Sequence, residues 1–250
     1  MNNKKNNKGL IMTKLMQVML LVLSGLLTAC GGSSYTSEAD NNQVVTLGDS
    51  IFDLSDKLQG NLERYAGQTF RKYTLNGAQL SNDGIGVTPV VGQYAQAKSD
   101  NADIQTIVMN GGGNDILIPV VAQFDPYRCK TRWYQFGQLS SKCQNFIDDL
   151  YVESVDILND MDNDGVENVI YLGYYYTKNA LLPLKSLKQA VDYGNNILAR
   201  ACVNSTVDCT FINPSSSIVN RDIILDGIHP ASSGSRKLAD LIWPHLEPLL

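Results

Sequence analysis

Histidine is scarce in this chain of 250 residues: it occurs at His229 and His245 only. A metal centre built from several imidazoles is therefore excluded, and any chemistry that needs a base near neutral pH must use one of those two rings. Charge is scarce too. Charged residues make up 18% of the chain, below the roughly 25% of an average soluble domain. Twenty basic residues stand against 25 acidic ones, a net charge of −5, which argues against a nucleic-acid partner, where a basic face is expected. There is no internal repeat, no heptad pattern and no apolar run of membrane-spanning length in the body. What is present is 44% hydrophobic residues, enough for one sizeable core and one folded domain.

The N-terminus reads as an address. Lys4, Lys5, Lys8 and Lys14 precede an apolar run from Leu15 to Leu27, with no acid among them. This is the basic and apolar pairing of a secretory signal, and the run is too short to span a bilayer as a mature helix. Met12-Thr13-Lys14 forms a compact basic start by itself, so Met12 is an alternative first residue. The run ends in Leu27-Thr28-Ala29-Cys30, which resembles the lipobox of bacterial lipoproteins. That resemblance implies cleavage after residue 29, lipidation of Cys30 and export, with Gly31 after the cysteine pointing to the outer membrane. An ordinary cleaved signal is the alternative. Loss of residues 1–29 removes four lysines and no acid, taking the net charge from −5 to −9. Anionic lipid then repels the body, and attachment must rest on acyl chains. Residues 30–43, rich in Ser, Gly, Asn and Asp, read as a flexible tether, and 44–250 as the domain.

Of five cysteines, Cys30 is assigned to lipid, leaving Cys129, Cys143, Cys202 and Cys209. An even set in an oxidising compartment suggests disulfides. Three connectivities exist. Proximity in sequence favours Cys129–Cys143 and Cys202–Cys209, with buried free thiols as the alternative.

Along the body, short apolar runs alternate with helical stretches. Strands are expected at Val44–Leu47, Phe70–Leu75, Ile104–Met109, Val169–Tyr174 and Thr210–Ile212. Helices are expected at Leu54–Tyr65, Thr88–Lys98, Phe146–Met161, Leu184–Cys202 and Ser232–Leu241. Such alternation predicts a three-layer α/β/α sandwich around a mostly parallel five-stranded sheet. Sheets of this kind bind ligands beyond the carboxyl ends of their strands. At those ends stand Gly48-Asp49-Ser50-Ile51, Asn76-Gly77-Ala78, Asn110-Gly111-Gly112-Gly113-Asn114-Asp115 and, past a loop, Asp226-Gly227-Ile228-His229. Each cluster alone is an ordinary turn or cap. Together they supply what acyl transfer needs: a nucleophile, a base, a group to orient it and donors for an oxyanion.

These residues resemble the GDSL, or SGNH, hydrolases. Gly48-Asp49-Ser50-Ile51 is similar to the family signature, with Ile51 where the family has Leu. Gly77, the block Gly112–Asp115 and the block Asp226–His229 follow in the family's order, from about Val44 to the end, and against that pattern 123–145 looks like an insertion closed by a disulfide. The resemblance implies a flavodoxin-like fold and a serine esterase or lipase. It implies Ser50 as nucleophile, His229 as base and Asp226 as its orienter. The oxyanion hole is then the backbone N–H groups of Ser50 and Gly77 with the Asn114 side chain. No metal or cofactor is implied. Asp49 and Asp115 read as loop-holding carboxylates, and His245, without an acid placed to orient it, as structural. Neither a Gly-x-Ser-x-Gly elbow nor a Ser-x-x-Lys pair occurs, which disfavours two other serine-hydrolase architectures.

Two further features have competing readings. Asp160–Gly165 resembles the start of a calcium loop, but its twelfth position would be Tyr171 inside a strand, so a solvated loop is expected. Tyr171, Tyr174, Tyr175 and Tyr176 suit either core packing or a sugar-stacking wall. The expected substrate is a small-molecule, lipid or polysaccharide ester. The alternatives are a polysaccharide O-acetylesterase with the same mechanism, and a non-catalytic envelope-binding lipoprotein on a hydrolase scaffold.

Overall fold

The structure is a computed structural model that describes residues 35–54, 57–81, 86–180 and 182–250. The expected leader, 1–29, and Cys30 lie outside the described residues.

Five strands, β1 (Asn41–Leu47), β2 (Phe70–Lys72), β3 (Thr106–Met109), β4 (Asn168–Leu172) and β5 (Asp208–Ile212), form one sheet in the order β2-β1-β3-β4-β5. Every pairing is parallel, as expected from strands that are apolar on both faces. Side chains on one strand point alternately to opposite faces, and each face has its own core. Val45, Leu47, Ile107, Met109, Val169 and Tyr171 enter one. Val44, Val108, Ile170 and Leu172 enter the other. The first is covered by α3 (Val90–Asp100), α5 (Ser141–Asn163) and α6 (Lys188–Asn204). The second is covered by α1 (Ser50–Asp53), α2 (Lys57–Ala66) and α7 (Ser232–Leu246). Three layers follow.

Several boundaries differ from expectation, each for a local reason. β1 starts at Asn41 rather than Val44, and Thr36 already bridges to Lys72. Residues 36–43 therefore belong to the folded body rather than to a tether. Asp40 fixes them by accepting from the Thr69 backbone N–H and hydroxyl, contacts that their polar composition does not betray. β2 is shorter than expected, yet Tyr73 and Leu75 still donate to Thr46 and Gly48 of the β1 edge. The largest difference is α4 (Gly113–Ala122), in a stretch expected to be loop. Its glycines and Pro119 read as breakers, but Gly112 takes φ +96 ahead of the first turn and burial of Val120 outweighs the hydrogen bond that proline removes. Helix α5 begins at Ser141, its Cys143 N–H donating to Ser140 Oγ at 3.1 Å. The last residues of the expected insertion, 141–145, are thus helical.

Both favoured disulfides are formed. Cys129–Cys143 fastens the insertion to α5, and Cys202–Cys209 ties α6 to β5. Arg71 is fully buried, and among the described residues no carboxylate forms an ion pair with it. It donates to the carbonyls of Asn42, Ala97 and Asn101 and to the Tyr73 hydroxyl, closing the carboxyl end of α3 onto the sheet. Asp160 lies inside α5, and Asp164 accepts from Lys98 and Tyr94, so the calcium-like stretch is a helix end.

Candidate active site

β1 and β3 are neighbours whose connections leave toward opposite faces of the sheet, and a crevice opens beyond their carboxyl ends. β1 stops at Gly48, whose φ is +143 and whose missing Cβ leaves room for the Asn110 side chain. No other residue fits there. Asn110 Oδ1 accepts from the Asp49 N–H at 3.0 Å, and its Nδ2 donates to Asp49 Oδ1 at 2.7 Å. The same Oδ1 caps α1 by accepting from the Ile51 N–H at 2.9 Å. Tyr174 donates its hydroxyl to Asp49 Oδ2 at 2.7 Å, and Gln93 clasps both backbone groups of Gly48. Burial pushes the Asp49 pKa above the usual carboxylate range, against the opposing effect of these hydrogen bonds. Ser50, the first residue of α1, is 5% exposed and rests on this fixed polar floor.

The other strand ends are tied to the same floor. The Asn76 N–H donates to Asp53 Oδ2 at 2.9 Å, and the turn that follows holds Gly77 at φ +84. Asn114, in the first turn of α4, donates one amide hydrogen to the Ala78 carbonyl at 2.9 Å. Asp115 accepts from the Leu80 N–H at 3.0 Å, and burial raises its pKa to about 7. Among the described residues, the backbone N–H groups of Ser50 and Gly77 donate to nothing else. The second amide hydrogen of Asn114 is free as well.

Asp226 and His229 face each other on one loop. Asp226 Oδ2 lies 2.6 Å from His229 Nδ1, and its Oδ1 accepts from the Ile228 and His229 N–H groups. Partial burial alone would raise the Asp226 pKa. The His229 ring and those N–H groups outweigh it and hold the carboxyl below its ordinary value. The loop is pinned to the segment after β4: Tyr175 donates to the Ile228 carbonyl at 2.7 Å, and the Lys178 N–H to the Gly227 carbonyl at 3.0 Å. His229 is 4% exposed, whereas His245 is exposed on the last turn of α7.

Ser50, Asn114 and Ile228 line one cavity, which continues between α4, α5 and α6. His229 borders a separate cleft with Leu54 and Pro230. No hydrogen bond joins Ser50 Oγ to His229 among the described residues; in unliganded sites such bonds are often long and tighten when substrate arrives. The four tyrosines divide. Tyr174 and Tyr175 line the cavity, Tyr171 is core, and Tyr176 is bound to Asp192. Asn110 and Gln93 hold the floor without having been singled out individually from the sequence, and Tyr174, expected as core or sugar-stacking wall, serves as a hydrogen-bond donor to Asp49. No group of three or more His, Cys, Asp or Glu side chains able to hold a metal occurs among the described residues.

No family model and no curated protein matches the chain. Solved structures do. A carbohydrate acetylesterase family member from Sinorhizobium meliloti matches 83% of this chain and 99% of its own, at 15% identity and a TM-score of 0.57. A carbohydrate esterase family 3 protein from Talaromyces cellulolyticus matches 82% and 96%, at 18% identity and 0.55. A lipase from a goat-rumen metagenome matches 80% and 95%, at 15% identity and 0.56. The likeness is one of fold: an α/β sandwich over nearly the whole folded unit, shared with ester hydrolases.

Proposed function

We propose that this protein is a serine ester hydrolase of the SGNH type, with Ser50, His229 and Asp226 as its triad. The observation that carries the reading is the Asp226–His229 pair at 2.6 Å on a loop whose Ile228 lines the Ser50 cavity. In the proposed cycle the Ser50 proton passes to His229 Nε2 as Oγ attacks the ester carbonyl carbon. Asp226 keeps the Nδ1 hydrogen in place and stabilises the imidazolium. The developing oxyanion accepts from the free N–H groups of Ser50 and Gly77 and from Asn114, each worth about 3 kcal/mol of barrier. Collapse expels the alkoxide, which takes the proton from His229. A water, deprotonated by His229, then attacks the acyl-enzyme, and collapse releases the acid as Ser50 Oγ takes the proton back from His229. The names of the structural neighbours support ester hydrolysis in general.

The test is turnover of p-nitrophenyl acetate and longer esters by the protein and by Ser50→Ala, together with labelling by a fluorophosphonate. Loss of Ser50 should lower kcat more than about a thousandfold and abolish labelling; equal turnover would overturn the proposal. Export and anchoring through Cys30 belong to the same reading. Two disulfides among the described residues support an oxidising compartment, and incorporation of an alkyne-palmitate that disappears in Cys30→Ala is the expected outcome.

A further inference from the structure

We infer that the cavity beside Ser50 is an acyl-chain channel, that the acid half of the substrate is an aliphatic chain rather than acetyl, and that Gly194 sets how much of it fits. The inference rests on the ester-hydrolase reading. The cavity begins at Ser50 and Asn114 and runs between α4, α5 and α6, where its walls are Ile116, Leu117, Ile147, Leu150, Ile197 and Leu198. Among the described residues, the polar side chains that border it, Ser50 and Asn114 aside, are already engaged. The Asn195 amide bonds both backbone groups of Tyr174. The hydroxyls of Tyr174, Tyr175 and Thr177 donate to Asp49, Ile228 and Leu184. A sugar or hydroxylated acid placed there would bury its own hydroxyls with no partner, which is costly. A hydrocarbon chain loses nothing polar and gains from leaving water. The free polar groups, the Ser50 hydroxyl and the second Asn114 N–H, lie at the mouth, where the ester carbonyl must sit.

Gly194 makes the same point independently. It is buried in the middle of α6, where glycine is less favourable than alanine. Elsewhere near the site glycine is required: a Cβ at Gly113 would fall inside the Tyr174 ring, and one at Gly173 would press on Phe211 and Asn195. At Gly194 nothing requires it. Its φ is not in the left-handed region, and a Cβ there would meet only Ile116 Cδ1, at 3.7 Å, an ordinary contact. Helix α6 has given up a side chain where one would fit, and the space lies in the channel between α6 and α4.

The test is a ratio. kcat/KM is measured for p-nitrophenyl acetate, butyrate and octanoate with the protein, Gly194→Ala and Gly194→Leu, each checked for fold by circular dichroism. Each methylene that enters an apolar channel is worth about fourfold, so octanoate should exceed acetate by more than tenfold. That octanoate-to-acetate ratio should fall at least tenfold in Gly194→Leu and less in Gly194→Ala; the alanine variant reads the effect if leucine unfolds the helix. A preference for acetate, or an unchanged ratio in the folded variants, would overturn the inference. Calorimetric binding of octanoate to Ser50→Ala separates the two claims, since it needs no turnover. Ser50-dependent acetate hydrolysis without octanoate binding overturns the channel and leaves the hydrolase. Octanoate binding without Ser50-dependent turnover does the reverse.

Discussion

Two glycines near Ser50 show how differently the two sides of the site are built. Gly48 belongs to the floor, where a Cβ would overlap the Asn110 side chain and φ is +143. Gly194 belongs to the wall, where a Cβ meets a single methyl at 3.7 Å. The floor is a closed set of hydrogen bonds among Gly48, Asp49, Gln93, Asn110 and Tyr174. Geometry there is fixed by bonds that allow one arrangement. The wall is apolar packing, in which volume is the only variable and intermediate fillings are tolerated. A reaction centre needs the first kind of construction and a specificity pocket the second.

The largest effect that tests this division is catalytic. Asp226→Asn keeps an oxygen for the Ile228 and His229 N–H groups but removes the carboxylate that faces His229 Nδ1. kcat should drop about ten-thousandfold with the fold intact, measured under saturating ester with circular dichroism as control. A loss of less than tenfold would mean that the pair is structural. Next comes the contrast between the glycines. Gly48→Ala should lower stability by about 3 kcal/mol or more, because both the backbone and Asn110 must move. Gly194→Ala should change it by less than about 1 kcal/mol, in the stabilising direction, through helix propensity. Urea denaturation reads both. Similar losses at the two positions would erase the distinction between floor and wall.

The sequence reveals these regions unequally. Asp49, Ser50, Asn114, Asp226 and His229 stood out as candidates because they fall in short polar clusters after apolar strands, clusters that together resemble one family's blocks. The sheet was legible because its strands are apolar on both faces. Asn110, Gln93 and Tyr174 were visible only as a strand end, a helix residue and one tyrosine among four, since their partners lie 45 to 125 residues away. Helix α4 was hidden behind three glycines and Pro119, its register set by packing rather than propensity. The wall was invisible for the same reason. A cavity between three helices has no local signature, and a mid-helix glycine looks like a breaker until its neighbours are known.

The last prediction separates the regions by pH. Asp115 sits on the floor side, accepting from the Leu80 N–H, and burial raises its pKa to about 7, with Glu153 and Asp49 adding in the same direction. Between about pH 4, where an unfolded aspartate ionises, and pH 7 the folded protein holds a proton that the unfolded chain has lost. The contribution of Asp115 to stability is therefore full below pH 4, falls as pH rises through that window and is flat above it. Asp115→Asn keeps an acceptor for Leu80 and removes the titration. Its stability relative to the parent should rise steadily from pH 4 to pH 7, by urea denaturation at unit steps. Gly194→Ala, whose added methyl would meet only Ile116, should differ from the parent by the same amount at every pH. Parallel curves for Asp115→Asn would show that its carboxyl ionises normally, and that the floor tolerates charge as readily as the surface does.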